Sequence, residues 1–80
     1  MHIGRGYFVD TKNCIALLDF ENTTANADTR NFLRSCQENG KITDACEKGI
    51  PKSFIICENM TYLSEMSVQT LKKRLKNKNI

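Results

Sequence analysis

Eighty residues leave room for a single small hydrophobic core, and this limit constrains the fold more than any motif in the chain does. A core of this size supplies only about 3–5 kcal/mol, so such chains often depend on self-association, a metal or disulfides. Hydrophobic residues make up 40% of the chain, an ordinary globular share. They fall in short runs such as residues 14–18 and 54–57, far below the roughly 18 residues of a membrane-spanning helix. We therefore expect one soluble domain over residues 1–80.

Turn residues between short apolar runs predict an α+β fold with a small antiparallel sheet of about four or five short strands. The expected strands lie at residues 7–9, 14–18, 53–58 and 61–63, with a further short strand at residues 41–45 and a short edge piece at residues 2–3. Residues 10–13 favour a first hairpin, because Asp and Asn side chains bond back to their own backbone. Asn59 is expected to turn a second hairpin. Gly4-Arg5-Gly6 is expected to form a tight turn, since glycine tolerates a positive φ.

A mid-chain helix is expected over about residues 28–39, after a polar loop at residues 21–27. Asn26 or Asp28 provides its N-cap, and Gly40 stands at the position after the helix where glycine is preferred. Its apolar face, which we expect to pack on the core, consists of Phe32, Leu33 and Cys36.

The C-terminal segment combines a predicted helix with an excess of positive charge. Ser67 is a good N-cap for a helix that runs to about residue 76, with a basic tail from about residue 77. The apolar face of this helix consists of Val68, Leu71 and Leu75. From residue 70 onward there are five basic residues and no acidic one, whereas the preceding part of the chain has a net charge of −2. A hydrated helix end and a phosphate-contacting edge both explain this pattern, so both interpretations stay open.

The four cysteines include no C-x-x-C pair, so zinc-ribbon and thioredoxin-type spacings are both absent. In a reducing compartment, Cys14, Cys36 and Cys57 are expected to behave as small hydrophobic residues. Cys46 differs, because its polar surroundings near Lys48 favour an exposed thiol.

The sequence offers no basis for catalysis. The only histidine is His2 at the N-terminus, so Ser–His and Cys–His nucleophile pairs have no imidazole base. Nucleotide-binding and metal-binding motifs are also missing. We therefore expect no enzyme, no cofactor, no metal and no small-molecule substrate. Because no apolar leader segment opens the chain, the expected location is the cytoplasm.

The order of motifs along the chain resembles that of one bacterial family. The segments that carry the resemblance are Ile3-Gly4, Phe8-Val9, Ile-Ala-Leu-Leu-Asp-Phe at residues 15–20, Phe32-Leu33, Pro51-Lys52-Ser53 and Thr-Leu-Lys-Lys-Arg at residues 70–74. Over essentially its whole length the chain resembles the RemA/RemB family of extracellular matrix regulatory proteins, and it is most similar to the RemB branch. The Pro-Lys-Ser and Thr-Leu-Lys-Lys-Arg segments are the most distinctive.

The resemblance implies a cytoplasmic, DNA-binding transcriptional regulator of matrix and biofilm genes in Gram-positive bacteria. Its implied partners are double-stranded DNA and further copies of itself, ring-shaped in RemA-type relatives, with no membrane partner. In those relatives, arginines contact DNA from the first hairpin turn and from the turn before the second hairpin. These positions fall here on Asn13 beside Lys12 and on residues 48–52. An apolar sheet edge near Tyr7 or Tyr62 is the expected subunit contact.

The chain departs from the family pattern at both turns. Asn13 and the Ile50-Pro51 pair stand where the relatives carry arginines, which argues against bidentate recognition of guanine. The remaining lysines are still suited to phosphate contacts. The expected DNA-binding residues are Lys12, Asn13, Lys48 and Lys52, with supporting phosphate contacts from Lys72, Lys73 and Lys76. The alternative is a protein-interaction or structural subunit that pairs with a paralogous regulator and does not bind DNA.

Overall fold

The computed structural model describes residues 1–76, except for the side chains of Thr23 and Thr24, and it confirms the α+β class. In chain order the elements are β1 (His2–Gly4), β2 (Tyr7–Phe8), a 3-10 turn (Thr11–Asn13), β3 (Cys14–Asp19), α1 (Phe20–Thr24), α2 (Ala27–Glu38), β4 (Ile42–Asp44), β5 (Ser53–Cys57), β6 (Thr61–Ser64) and α3 (Val68–Lys76). The basic tail predicted from about residue 77 lies outside the described residues.

The main sheet has four strands in the order β3-β5-β6-β4. Neighbouring strands pair antiparallel except β4, which runs parallel to β6. The sheet is thus mixed, where a wholly antiparallel one was expected. The amide of Thr61 donates to the Lys41 carbonyl at 2.8 Å and the amide of Ala45 donates to the Leu63 carbonyl at 2.9 Å, which fixes β4 in this direction.

The predicted hairpin through residues 10–13 is wrong, and a different hairpin takes its place. β2 pairs with β1 in a separate two-stranded sheet, whereas β3 pairs with β5. Residues 11–13 form a 3-10 turn that leads the chain from one sheet into the other, because the Asp10 carboxylate caps it by accepting from the Lys12 amide at 2.9 Å. The second predicted hairpin, β5–β6, is confirmed, and the amide of Cys57 closes it on the Met60 carbonyl at 2.9 Å.

Both faces of the main sheet are covered, which gives three layers. The strand register places Leu17, Ile55 and Tyr62 on one face. A buried cluster packs against this face and includes residues of α3 and of the β1–β2 hairpin. It consists of Ile3, Val9, Ala45, Ile55 and Leu71. On the opposite face Phe54 is buried, and its ring stacks on Phe20 of α1 with 5.1 Å between the ring centroids.

Residues 20–24 form the helix α1, although a polar loop was expected over residues 21–27. The Asp19 carboxylate accepts from the Asn22 amide at 3.2 Å, as an N-cap does. The stack of Phe20 on Phe54 then anchors this otherwise polar helix. The polar composition of this helix conceals both interactions, since Phe20 is the one apolar residue in its sequence.

The two predicted helices are confirmed, but the apolar face of α2 is less buried than expected. Asn26 caps α2 by accepting from the Thr29 amide at 3.1 Å, and Gly40 follows the helix with φ +68°. Leu33 is the buried residue of α2, whereas Phe32 stays 44% exposed, so α2 packs on the sheet by a narrower face than expected. Ser67 caps α3, and Leu71 is fully buried.

The edge strand β3 contains an irregularity near its start. Cys14 pairs with Cys57 and Ala16 pairs with Ile56, so Ile15 is an extra residue that forms a β-bulge. Its side chain is 66% exposed.

Candidate nucleic-acid interface

Lys12 and Asn13 lie in the 3-10 turn that precedes β3, and both are exposed. The Asn13 carbonyl accepts from the Glu58 amide at 3.2 Å, so this turn is tied to the β5–β6 turn beside it. Asn13 also lines a polar groove together with Asp10 and Glu58. The one lysine of this turn therefore stands near two acidic residues, which weakens its local positive potential.

Lys48 and Lys52 lie in the loop between β4 and β5, and both side chains are exposed. The Lys52 backbone is held on both sides, because its amide donates to the Ser64 carbonyl at 2.8 Å and its carbonyl accepts from the Phe20 amide at 3.0 Å. The Lys48 amide donates to the Glu65 carboxylate. This loop therefore presents two lysines from a fixed backbone, with an acidic side chain directly beside the first of them.

The two lysine-bearing turns lie at opposite ends of the β3–β5 pair. Asn13 precedes Cys14, which pairs with Cys57, whereas Lys52 precedes Ser53, which pairs with Asp19. Five steps along an antiparallel strand correspond to about 17 Å. One chain therefore does not bring Lys12 and Asn13 together with Lys48 and Lys52 into a single patch.

A third cationic surface lies along α3, whose nine residues include no acid. Its exposed cations are Lys72, Lys73, Arg74 and Lys76. All four side chains are exposed, so they are accessible to a partner. Arg74 also donates to the His2 carbonyl at 3.3 Å, which ties the helix to β1.

Arg5 is a further cation that the sequence analysis did not select. It lies at the tip of the β1–β2 turn with φ +51°, and it is exposed. The pKa of the Asp44 carboxyl is below its usual value, mainly because Cys46 donates to it from its amide and its thiol, and also because Arg5 is close. Arg5 therefore stands near the end of β4, where the loop with Lys48 and Lys52 begins. A cation between two glycines was the sequence signal for such a turn.

The expectation of an exposed thiol at Cys46 is wrong, since its side chain is only 3% exposed. The Asp44 carboxylate accepts from the Cys46 amide at 2.9 Å and turns the chain inward at this point. Burial raises the pKa of the Cys46 thiol to about 12, helped by a hydrogen bond to Asp44 and by the charges of Asp44 and Glu65. Such a thiol stays protonated and unreactive at neutral pH.

Two other classes of feature are absent from residues 1–76. This part of the chain holds no group of three or more His, Cys, Asp or Glu side chains that could bind a metal ion. None of its helices is long and apolar enough to cross a membrane.

Comparison with known proteins places the chain in a family. The chain matches none of the curated proteins with which it was compared. Residues 1–75 match the RemA-like family, described as extracellular matrix regulatory protein A-like. This match covers nearly the whole chain, including every candidate interface residue except Lys76. The chain therefore belongs to the RemA-like family of extracellular matrix regulatory proteins.

Proposed function

We propose that this chain is a self-associating, DNA-binding transcriptional regulator of extracellular-matrix genes, of the RemB branch. The observation that carries the proposal is that a member of a family of regulatory proteins exposes cations on three separate surfaces. The helix α3 supports it most directly, because its cations face solvent without an acidic residue among them. The protein acts in the cytoplasm by binding alone, without catalysis or a cofactor.

The separation of the two turns explains why self-association belongs to the proposal. About 17 Å of sheet lie between Asn13 and Lys52, so each turn of one chain contacts a different stretch of DNA backbone. Copies arranged side by side repeat these contacts, and weak single contacts then add up to useful affinity. The exposed apolar side chains suited to such a contact are Tyr7, Phe8 and Ile15. Tyr7 lies 6.3 Å from Tyr62, ring centre to ring centre.

The type of cation determines the mode of binding. Lysine ammonium groups contact phosphates as point charges, whereas bidentate recognition of guanine is typical of arginine. Lys12, Lys48 and Lys52 therefore supply affinity that depends on salt and little on sequence. Arg5 is an exposed arginine near the loop with Lys48 and Lys52, and it is the candidate for contact with a base edge.

The test is fluorescence anisotropy of a labelled duplex titrated with the protein from about 50 mM to about 300 mM salt. We expect binding that falls linearly with the logarithm of salt, with a slope of about −0.9 for each phosphate neutralised. The double variant Lys48→Glu and Lys52→Glu should lose binding and keep the oligomer size. Arg34→Glu with Lys41→Glu is the matched control, because it makes the same change of charge at exposed positions outside the proposed interface.

The second candidate function is a protein-interaction subunit that pairs with a paralogous regulator. It is favoured by the residues at the second turn, where Ile50 is 71% exposed and Glu65 lies beside Lys48. An exposed isoleucine fits a protein surface better than a phosphate backbone. This function would be favoured over the first if the protein showed no DNA binding at the lowest salt while its oligomer size stayed unchanged.

A further inference from the structure

Cys14 and Cys57 are direct partners across the β3–β5 pair, the first residue of one strand and the last of the other. The Glu58 amide donates to the Asn13 carbonyl at 3.2 Å, one residue outside this pair. The amide of Cys57 bonds elsewhere, to Met60. This pattern marks Cys14 and Cys57 as a non-hydrogen-bonded pair, the type in which facing side chains come closest.

The spacing of such a pair suits a disulfide. Facing Cα atoms in a non-hydrogen-bonded pair are about 4.5 Å apart, and disulfides join Cα atoms about 4.4–6.8 Å apart. Both cysteines pack against the same buried cluster, so their side chains lie on the same face of the sheet. The pKa of Cys57 is raised to about 11, first by burial and then by the nearby thiol of Cys14. Both cysteines are free thiols.

The pair is also within reach of small molecules. Cys57 lines the polar groove that runs between Val9 and Asn59, and both cysteines are partly exposed. Cys46 is buried instead, and Cys36 lies on α2. The other two thiols therefore do not compete for the same position.

We propose that Cys14 and Cys57 are an oxidation site that closes into a reversible cross-strand disulfide on reaction with a peroxide. Cys57 reacts as its thiolate, which its raised pKa makes scarce at neutral pH, so this step is slow there and quickens as the pH rises. The thiolate, reached through the groove, attacks one peroxide oxygen, and with hydrogen peroxide this gives a sulfenic acid and one water. The Cys14 sulfur then attacks the Cys57 sulfur, forms the S–S bond and releases the second water. The two thiols lose two protons and two electrons, and the peroxide is reduced to two waters.

The new bond would join the base of the Lys12–Asn13 turn to the base of the β5–β6 turn. Pairs of this type have Cα separations at the short end of the range that disulfides bridge, so we expect a strained bond that a thiol reductant opens again. The site therefore acts as a reversible clamp at one end of the sheet. It stands independently of DNA binding, because its formation needs only the folded chain.

The experiment treats the folded protein with hydrogen peroxide, blocks remaining thiols and maps tryptic peptides without reduction. Each cysteine falls in a different peptide, at residues 13–30, 35–41, 42–48 and 53–72, so every linkage can be identified. We expect loss of two hydrogen atoms from the single chain and a linkage between peptides 13–30 and 53–72, both reversed by dithiothreitol. The Cys36→Ser variant should behave in the same way.

Three results would overturn the proposal. The first is a dominant linkage that includes peptide 35–41 or 42–48, and the second is cross-linking between chains in place of the internal bond. The third is oxidation of Cys57 to a sulfinic acid with Cys14 left free. Protein unfolded in urea is the control, since there the linkages should be mixed and the preference for the Cys14–Cys57 pair should be lost.

Discussion

Gly4 packs against the carbonyl oxygen of Ala45 so closely that a Cβ atom at position 4 would lie 2.8 Å from that oxygen. The contact holds the β1–β2 hairpin on the segment that follows β4. Next to it, the buried Ser64 hydroxyl donates to the Ile3 carbonyl at 2.7 Å. The hairpin thus depends on a close backbone approach that only glycine permits.

Gly4→Ala should therefore lower the free energy of unfolding by about 2–4 kcal/mol, since it adds a steric clash to strain at φ +126°. Gly6→Ala is the matched control, because Gly6 also has a positive φ, +78°, but has no atom within 4 Å of the added Cβ. It should cost only about 1–2 kcal/mol. Urea denaturation measures both values, and equal losses would contradict the role of the Ala45 contact.

Phosphate contacts by α3 predict a change in salt dependence. Replacing Lys72 and Lys73 by alanine should make the slope of log affinity against log salt shallower by about one to two units. Arg34→Ala with Lys41→Ala removes the same charge from outside the proposed interface and should leave the slope unchanged. Anisotropy titrations at several salt concentrations give the slopes. Equal slopes in the α3 variant and the unchanged protein would exclude α3 from the interface.

The free energy of unfolding should depend on alkaline pH through two cysteines. The pKa of Cys46 is raised to about 12 and that of Cys57 to about 11, in both cases mainly by burial. The folded chain then holds these protons more tightly than the unfolded chain, whose thiols titrate near 9.0. The thiols therefore leave stability unchanged below about pH 9, and stability falls as the pH rises from there towards about 11–12.

The variant Cys46→Ala isolates one part of this dependence. Urea denaturation with reductant present, repeated between about pH 7 and about pH 11, should show a less steep decline for the variant. Other groups that titrate in this range affect both proteins equally, so the comparison cancels them. Parallel curves would show that Cys46 ionises equally easily in the folded and unfolded chains.

Closing the Cys14–Cys57 bond should stabilise the folded chain. The loop between the two residues includes more than half of the sequence, and closing it adds up to about 4 kcal/mol by the chain-entropy estimate, reduced by strain in the bond. The urea midpoint of the oxidised protein should therefore rise and return to its starting value after reduction. Cys57→Ser treated in the same way should show no rise, and a lower midpoint after oxidation would mean that strain outweighs entropy.

Local signals in the sequence predicted those parts of the fold that depend on neighbours along the chain. The cap at Asn26, Gly40 after α2, the cap at Ser67 and the turn at Asn59 are of this kind. The partner of β3 depends instead on contacts between distant residues, and turn chemistry at residues 10–13 was compatible with the wrong strand pairing. Cys46 was misjudged for a similar reason, since its burial depends on the Asp44 turn and the hairpin above it.

The sequence predicted which residues of the candidate interface are exposed, but it did not predict where they lie relative to one another. The exposure of Lys12, Asn13, Lys48 and Lys52 follows from their place in turns, and the structure places all four there. Their division between opposite ends follows from the pairing of β3 with β5, which the sequence analysis did not foresee. Arg5 was missed because its proximity to Asp44 depends on the β1–β2 hairpin packing beside β4.

The bulge at Ile15 also bears on the proposed self-association. A long, regular edge strand recruits further strands and leads to fibres, whereas a bulge twists the edge away from an incoming partner. The opposite edge strand, β4, is three residues long, so it also offers few backbone groups for pairing with an incoming strand. Both edges of the main sheet are thus poor templates for strand addition, so the proposed self-association would run through side chains and would not extend strand by strand. A change that straightens β3 is then expected to favour aggregation before it abolishes folding.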